Sequence, residues 1–492
     1  MHPSSRRRRL ASAFAGLGLA LSSVTTAGVA AAPVLTPAVA EFQFVSAAET
    51  PPTQADCAAV NRRCFTPQAF WAAYNLLPLF DQGWDGTGVT VAIVDSYGSD
   101  TMAHDLHVFD QAFGLPAMCG EEGVTCAPGM PTFSTLSIQG SPATKEQPGK
   151  GTGQENKAAW SLEVALDVES VHSFAPGANI LLVTVPTAET LGVQGFPLMM
   201  NAEQYVIDNH LASVISQSFA SAEDAFGSSV ALENLRHAYI AAAANGVTVL
   251  GSSGDGGTAN AKKTPVGQGG STIPVPTVEW PASDPLVTGV GGTYLCTDPT
   301  NTTSRVVESS GPPSRCQANP GVAEVGWVAA GGGFSHVFDR PTYQDTLPAG
   351  STPIGAMRGV PDIASEASAT TGPLVYDSNG SLGSITNAAG DHGGWFIIGG
   401  TSVSCPQWAG MVAIADQING GGLGLINPGL YAIGADPARY AADFYDVTTG
   451  NNQTDPSIPG YPATTGWDPV TGLGTPNAAN LLPDLVAAVN AQ

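Results

Sequence analysis

The segment GGTSVSCPQWAGM, residues 399–411, places a serine between a glycine-rich approach and an apolar run. We predict a helix from about Ser402 to Ile418, and Pro406 fits its first turn because a proline there loses no intrahelical hydrogen bond. A serine at a helix N-terminus can simply cap free backbone N–H groups. It can also be a nucleophile, because the same N–H groups can stabilise an oxyanion. Its chemical partners decide between these two interpretations.

Two carboxylates lie four residues apart in ENKAAWSLEVALDVESVHSF, residues 155–174. The pattern predicts a helix over 156–173, so Glu163 and Asp167 project from one face, one turn apart. Like charges at this spacing destabilise a helix, and the flanking side chains are apolar. If the pair is partly buried, desolvation and mutual repulsion let it share a proton, which makes it usable as a general base. A chance pair on an exposed face is the alternative.

Short apolar runs alternate with helical stretches from Gly88 onwards. This alternation predicts an α/β fold with a mostly parallel central sheet and helices on both faces. Active sites of such folds lie at the carboxyl ends of the strands, and Asp95, Phe219 and Asp255 stand at the ends of predicted strands. The predicted strands are 89–96, 178–185, 212–220 and 247–255, and the predicted helices are 103–113, 156–173, 197–210 and 229–246. Three stretches rich in Gly, Pro and Ser are interpreted as surface excursions: 256–285, 297–325 and 346–395.

The composition limits the classes of partner. The chain has 492 residues, 43% of them hydrophobic, which suits a sizeable folded core. With 17 basic and 41 acidic residues, the formal net charge of −24 argues against nucleic acid or an anionic membrane surface as a partner. Charged residues make up only 12% of the chain, so few salt bridges can form and we expect tolerance of acid.

The N-terminus has the organisation of a secretory signal peptide, with an arginine cluster, an apolar run from Leu10 to Leu21 and small residues suited to cleavage. The apolar run is short for a transmembrane anchor. We therefore predict a signal peptide over 1–32, a mobile leader or short pro-segment without regular structure over 33–56, and one folded domain over 57–492. The protein is expected to be secreted and extracellular.

The cysteines agree with an oxidising compartment. Three pairs close in sequence predict disulfides, and no cysteine spacing suits zinc. Cys405 has no such partner, and we expect it to be buried beneath the predicted helix as a small apolar residue. The predicted disulfides are Cys57–Cys64, Cys119–Cys126 and Cys296–Cys316.

The combined motifs resemble those of the sedolisins, or serine-carboxyl peptidases, which have a subtilisin-like fold and a Ser-Glu-Asp triad. Glu163 and Asp167 match the family's E-x-x-x-D helix. GGTSVSCP is similar to its S-G-T-S-x-x-x-P motif, with Gly399 in place of the first serine, and GSSGDGG is similar to its S-S-G-D motif. The resemblance runs from about residue 66 to the C-terminus through FDQAFGLP (109–116), WPASDPLVTGVGGT (280–293), GGGFSHVFDRPTYQ (331–344) and RGVPDIA (358–364).

The resemblance implies that residues 57–492 are a sedolisin-like peptidase domain, an acid-active endopeptidase that works through an acyl-enzyme intermediate. It assigns Ser402 as the nucleophile, Glu163 as its base and Asp167 as the residue that holds the base. Asp255 takes the place of the family's oxyanion aspartate. An aspartate donates a hydrogen bond only when it is protonated, so we expect an acidic optimum.

The resemblance further implies a substrate-binding region and one structural calcium ion. The substrate residues are Ser216, Ser218, Phe219, Ser253 and Gly254, and a peptide would pair with edge backbone around Ser216 to Phe219. The calcium ligands are Asp446 and Asp468 with the carbonyl groups of Val447, Thr464 and Gly466. Two positions depart from the family: Asp95 stands where an extra glutamate is frequent, and Phe219 stands where some members have tryptophan.

Two other functions remain open from the sequence. A Ser-His-Asp protease of the subtilisin type would use Asp95 and Ser402, but His104 and His107 are too close to Asp95 and lack the usual H-G-T phrase. We expect these two histidines and His172 to lie on the surface. A secreted binding protein without turnover would keep the fold alone. The expected partners are protein or peptide substrates, with no nucleic acid and no membrane anchor, and the expected state is a monomer.

Overall fold

A computed structural model describes residues 41–138, 152–186, 195–262 and 271–492, with the backbone alone described over 152–156. The predicted signal peptide lies outside the described residues. The strands are β1 Glu41–Ser46, β2 Thr90–Ser96, β3 Phe133–Ser137, β4 Asn179–Val185, β5 Val214–Gln217, β6 Ser221–Ala222, β7 Thr248–Ser252, β8 Glu279–Trp280, β9 Thr288–Leu295, β10 Glu324–Gly326, β11 Gly333–Asp339, β12 Met357–Val360, β13 Ile363–Glu366, β14 Leu374–Asp377, β15 Gly394–Gly399, β16 Phe444–Tyr445 and β17 Thr475–Pro476.

The helices are α1 Gln54–Ala59, α2 Pro67–Ala73, α3 Leu77–Phe80, α4 Met102–Phe113, α5 Thr152–Phe174, α6 Phe196–Asp208, α7 Ser229–Glu233, α8 His237–Ala244, α9 Ser314–Ala318, α10 Gly383–Thr386, α11 Thr401–Asn419, α12 Asn427–Ala435, α13 Pro437–Asp443 and α14 Ala478–Asn490. The helices predicted over 103–113 and 156–173 are confirmed as α4 and α5. Both predictions depended on local apolar periodicity, which the tertiary structure keeps.

The central sheet has the strand order β10-β9-β7-β5-β2-β4-β3, with β13 also paired to β9. All pairs in this sheet are parallel except β10 with β9. Alternate residues of β2 point to opposite faces. Val91 and Ile93 pack in the core that contains α5 and α11, whereas Ala92 and Val94 pack in the core that contains α6 and α8. The mostly parallel α/β fold with helices on both faces is confirmed.

The helices α5 and α11 approach each other closely at Gly410. A Cβ atom at this position would lie 2.7 Å from the Cβ of Phe174 and 3.2 Å from the carbonyl oxygen of Val171. Any larger side chain would push the two helices apart. This contact matters for the site, because α5 carries Glu163 and Asp167 and α11 begins beside Ser402.

The segment before the predicted domain differs from its prediction in the part that the structure describes. Strand β1 pairs antiparallel with β15, with Glu41 opposite Gly399. The rings of Phe42 and Phe44 meet Phe396 edge-on, with centroids 6.5 and 5.5 Å apart. The expectation of no regular structure over 33–56 therefore fails for β1, because this strand has a distant partner that local composition could not indicate.

Two further expectations need correction. The helix predicted over 229–246 is broken into α7 and α8, and Arg236 in the turn between them forms a bidentate pair with Asp284 at 2.5 and 2.8 Å. The stretch 346–395 is not only a surface excursion, because β12, β13 and β14 lie within it and are largely buried. The three predicted disulfides are confirmed, and Cys405 is free and buried as predicted.

Candidate active site

Ser402 lies in the first turn of α11, directly after strand β15. Gly400 joins strand and helix with a φ of 146°, a backbone conformation that side-chain-bearing residues rarely adopt. Pro406 is the sixth residue of α11 and lies inside the helix, not in its first turn as predicted, and the helix nevertheless continues to Asn419. Ser402 is fully buried in the structure. The sequence thus places a serine at the N-terminus of a long core helix, as predicted.

Asp255 is fixed beside this helix start. Its Oδ1 atom accepts hydrogen bonds from the N–H of Thr401 at 2.7 Å and from the hydroxyl of Thr401 at 3.1 Å. The Thr401 hydroxyl in turn accepts from the N–H of Gly254 at 3.0 Å. Because Oδ1 accepts both bonds from Thr401, a proton on Asp255 belongs on Oδ2.

The carboxylates predicted on α5 are both fully buried, so the exposed-pair alternative is wrong. Ser218 donates a hydrogen bond to Asp167 Oδ1 at 2.8 Å. Burial raises the pKa of Asp167 well above its usual range, and the negative charges of Asp95 and Glu163 raise it further. Asp167 therefore favours its protonated form in this environment.

Asp95 is the residue before the last one of strand β2 and is also fully buried. Burial raises the pKa of Asp95 to about 8. Its charge acts on Asp167, so the carboxyl end of β2 faces the pair on α5. Three acids from β2 and α5 therefore share one buried region, an arrangement that retains protons.

Cys405 links the start of α11 to this acidic region. Its Sγ atom lies 3.6 Å from the hydroxyl of Ser216 and 3.6 Å from the carbonyl oxygen of Gln217. Burial raises the pKa of Cys405 to about 12, and the charges of Asp167 and Glu163 also raise it. Since Cys405 follows Ser402 by one helical turn, the first turn of α11 lies next to the carboxylate pair.

The predicted substrate residues have different environments. Ser216 lies inside β5, which is paired on one side with β2 and on the other with β7, so its backbone is not an open edge. Phe219 is buried, and its ring meets that of Phe196 with centroids 5.8 Å apart. Ser253 is buried and donates its N–H to a neighbouring strand, while Gly254 also accepts from the N–H of Gly331 at 2.7 Å. The expected pairing of a peptide substrate with edge backbone is therefore limited to the residues that follow β5.

Glu279 is a neighbour of this site that the sequence analysis missed. A Cβ atom on Gly254, whose φ is 104°, would lie 1.9 Å from Glu279 Oε2. Burial raises the pKa of Glu279 to about 8, and the charge of Asp255 raises it as well. The one available signal was its position directly before the phrase WPASDP, but its contact with Gly254 depends on the tertiary fold.

The histidines do not support a Ser-His-Asp site. His104 Nδ1 lies 2.7 Å from Glu122 and His107 Nδ1 lies 3.1 Å from Glu121, so glutamates engage both rings. His172 is fully buried, which makes the surface prediction wrong for this residue. Its Nε2 atom lies 3.2 Å from Asp110, and this carboxylate partner explains why an ionisable ring is tolerated in the core.

The two loops predicted to bind calcium lie together. The N–H of Gly466 lies 3.2 and 3.1 Å from the two carboxylate oxygens of Asp446, and the N–H of Thr464 donates to Asp468 at 3.0 Å. Burial raises the pKa of Asp468 to about 7 and also raises that of Asp446. Carboxylates and backbone carbonyls are hard oxygen donors that fit calcium. The described residues contain no cluster of three or more His, Cys, Asp or Glu side chains suited to a metal, so carbonyls such as that of Val447 would complete the ligand set.

Known proteins resemble the chain over most of its length, although no family model matches it. Kumamolisin from Bacillus sp. (strain MN-32) is 30% identical over 433 residues, which is 87% of this chain and 64% of the relative. Sedolisin from Pseudomonas sp. (strain 101) is 31% identical over 397 residues, 80% of this chain and 57% of the relative. The chain thus spans less than two thirds of the length of these curated relatives.

A solved structure agrees with the sequence relatives. Pseudomonas sedolisin, described as a serine-carboxyl proteinase complexed with two molecules of pseudo-iodotyrostatin, superposes with a TM-score of 0.62 at 27% identity. The superposition covers 86% of this chain and 98% of that chain. Fold and site together define a subtilisin-like α/β protein with a serine at a helix N-terminus beside buried carboxyl groups. The chain belongs to the sedolisin family.

In the part of the chain that the structure describes, every helix is too short or too polar to cross a membrane.

Proposed function

We propose that the chain is a secreted serine-carboxyl endopeptidase that hydrolyses peptide bonds of proteins or peptides in acid. One observation carries the proposal. The Asp255 carboxyl is held by Thr401 next to Ser402, and the same helix turn lies beside the buried pair Glu163 and Asp167. A nucleophile, a base pair and an oxyanion donor are the groups that acyl transfer needs.

In the first half of the reaction, Ser402 Oγ attacks the carbonyl carbon of the scissile bond and its proton passes to Glu163. Asp167 holds Glu163 and shares the proton. The carbonyl oxygen becomes an oxyanion, and the tetrahedral intermediate then loses the amine, which takes the proton from Glu163. In the second half, water attacks the acyl ester of Ser402, Glu163 accepts a proton from that water, and the proton returns to Ser402 as the acid product leaves.

The oxyanion receives hydrogen bonds from the backbone N–H of Ser402 at the start of α11 and from protonated Asp255. Glu279 supports the protonation of this site, because the two carboxyls repel each other when both are charged. Activity therefore requires a pH at which Asp255 keeps its proton while the Glu163–Asp167 pair can accept one. This requirement is the physical reason to expect an acid optimum.

The test is digestion of casein by wild type and by Ser402→Ala over a pH series, with released peptides identified by mass spectrometry. We expect digestion by wild type alone, with a maximum below neutral pH. Equal digestion by both proteins would contradict the site assignment. Absence of digestion by wild type, with and without calcium, would favour a secreted binding protein on the same fold, and a maximum above neutral pH would contradict the role of Asp255.

We also propose one structural calcium ion at Asp446 and Asp468. The support is the proximity of the two carboxylates in adjacent loops, Asp468 fully buried and Asp446 partly buried, each held by a backbone N–H from the segment 464–466. When bound, the ion would neutralise both carboxylates and tie the loops together. Thermal unfolding with calcium, magnesium or a chelator tests this proposal in wild type and in Asp446→Asn. We expect calcium to raise the unfolding temperature of wild type only, and an equal response of both proteins would exclude this site.

We also propose that the protein is exported from the cell and is a monomer. The signal-like N-terminus and the three disulfides support an oxidising, extracellular location. The mass and oligomeric state of the protein recovered from culture medium test both points. Retention inside the cell, or a stable dimer in solution, would contradict them.

A further inference from the structure

A second group of buried carboxyls lies where α4, α5 and the end of β14 meet. We name Asp105 of α4, Glu169 of α5 and Asp377 of β14 the acid latch. The exposed fractions of these residues are 0%, 1% and 0%. The proposed mechanism uses none of them, although Glu169 lies on the same helix as Glu163 and Asp167.

Two members of the acid latch, one on each helix, accept hydrogen bonds from the end of β14 and from the residue just after it. The N–H of Tyr376 donates to Glu169 on α5 at 3.0 Å. Two residues later, the N–H of Ser378 donates to Asp105 on α4 at 3.0 Å. The other oxygen of Asp105 accepts from the hydroxyl of Thr101 at 2.6 Å. The end of β14 therefore connects α4 to α5 through hydrogen bonds.

Asp377 lies between Tyr376 and Ser378 and adds a further contact between the end of β14 and α5. Its Oδ1 atom accepts from the N–H of Asn379 at 2.9 Å and from the hydroxyl of Ser161 on α5 at 3.3 Å. Its Oδ2 atom and Oε1 of Glu169 are buried and have no hydrogen-bond partner. Two such oxygens are costly to bury as charged groups, but either can carry a proton.

The surroundings of the acid latch are mostly acidic. The ionisable groups that act on its members are His104 and Asp110 of α4 and Tyr376 of β14. One step further out, His172 of α5 and Glu121 act on Asp110, and Glu49 acts on Tyr376. The two histidines are engaged by acids outside the latch, His104 by Glu122 at 2.7 Å and His172 by Asp110 at 3.2 Å. No described lysine or arginine forms an ion pair with a member of the acid latch.

Burial and mutual repulsion keep protons in the acid latch. Burial raises the pKa of Asp105 to about 6. Burial, with the charge of Asp105 as a further cause, raises the pKa of Glu169 and that of Asp377 well above their usual range. All three pKa values are higher in the folded than in the unfolded chain, so the folded state binds more protons. The stabilising effect is complete below about pH 4 and is lost as the pH rises through the folded-state values.

We propose that the acid latch is a pH-sensitive contact that holds α4 and β14 against α5 in acid and releases α4 when its carboxyls ionise. Release of α4 would affect the active site through two connections. Helix α4 follows the loop after Asp95, and α5 carries Glu163 and Asp167. The acid latch would thus switch the protein off near neutral pH, a regulatory property separate from the catalytic groups.

Amide hydrogen exchange of the full-length protein tests the proposal, in a Ser402→Ala background so that the result does not depend on activity. Exchange is followed at about pH 4.5, 6 and 7.5 and corrected for the intrinsic pH dependence. We expect the protection of α4 to fall about 10-fold or more relative to β5 between the lowest and highest pH. In Glu169→Gln/Asp377→Asn, whose amides keep the accepting oxygen and cannot ionise, the fall should be less than about 3-fold.

Asp416→Asn is the matched control, because Asp416 is a buried acid on α11 that accepts from Ser213 at 2.6 Å, apart from the acid latch. This variant should retain the wild-type loss of protection in α4. Constant protection of α4 in wild type, or an equal loss in wild type and the double variant, would overturn the proposal. If the double variant does not fold, the two single variants are compared, and the wild-type result alone still excludes the proposal if α4 stays protected.

Discussion

Asp255 is attached to the start of α11 through Oδ1, which accepts both the N–H and the hydroxyl of Thr401. In Asp255→Asn the amide oxygen can keep these bonds, and the amide N–H can donate to an oxyanion at any pH. We expect kcat/KM at the acid optimum to fall about 10- to 100-fold, because a neutral amide is a different donor from a carboxylic acid. We also expect the decline of activity towards neutral pH to move to higher pH, which a pH-rate profile on a peptide substrate measures.

Asp255→Ala is the control for this substitution. It lacks a donor as well as the partner of Thr401, so we expect a loss of about 100- to 1,000-fold with no extension towards neutral pH. A profile of Asp255→Asn that declines at the same pH as wild type would show that a different group sets the upper limit.

Gly254 combines a left-handed backbone with a close neighbour. Its φ is 104°, and a Cβ atom would lie 1.9 Å from Glu279 Oε2. Gly83 is a matched position, because its φ is 81° and nothing lies within 4 Å of the added atom. We expect Gly83→Ala to lower the free energy of unfolding by about 1 kcal/mol through backbone strain, and Gly254→Ala to lower it by about 3 kcal/mol through strain and displacement of Glu279. Chemical denaturation measures both, and equal losses would contradict the contact.

At the scale of elements, strand β1 supports the strand that leads into the nucleophile helix. The ring of Phe44 meets Phe396 of β15, and a single residue, Gly400, separates the end of β15 from the start of α11. We expect Phe44→Ala to lower the free energy of unfolding by about 2 kcal/mol, since the site is half-buried, and to reduce activity after mild heating. Gln43→Ala is the control on the same strand, because its side chain bonds only to the adjacent backbone in the structure. Loss of the same size in both variants would show that β1 does not act through Phe396.

Local sequence signals predict the elements whose causes are local. Helices α5 and α11 were predicted nearly to their ends, because apolar periodicity and the glycines before Ser402 act within a few residues. The break before α8 could not be predicted in this way, because Asp284, the partner of Arg236, lies 48 residues further along the chain. The same limit applies to β1, whose partner β15 is hundreds of residues away.

Some residues of the candidate site could be recognised from local sequence, and others could not. Ser402, Glu163, Asp167 and Asp255 stand in short motifs whose residue types are readable in the sequence. Glu279 was missed because its significance comes from a contact with Gly254, and His172 was wrongly expected on the surface because its partner Asp110 comes from another helix. Burial of the acidic pair could be suspected from its apolar flanks, but the charge of Asp95 on Asp167 needs the fold.

At the scale of the whole molecule, buried acids with raised pKa values occur on several elements. Burial raises the pKa of Asp95 to about 8 and that of Asp416 to about 7, and it raises the pKa of Glu203 well above its usual range. Each folded-state pKa exceeds the unfolded value, so the folded chain binds more protons and stability falls as the pH rises from about 4 through these values. Breaking ion pairs in acid would lower the stability and oppose this trend. Only 12% of the residues are charged, so few ion pairs can be lost in this way.

We therefore expect the unfolding temperature of Ser402→Ala protein to be highest near about pH 4.5 and about 10 °C lower at about pH 8. Scanning calorimetry over this range measures the trend without self-digestion. Asp416→Asn removes one ionisable group outside the acid latch and the active site, and its amide can still accept from Ser213 or Leu423. Because this variant no longer ionises at that position, its unfolding temperature should decline less with pH than that of the parent. A rise in unfolding temperature from acid to neutral pH would mean that the buried acids are charged and compensated in the folded protein, contrary to their raised pKa values.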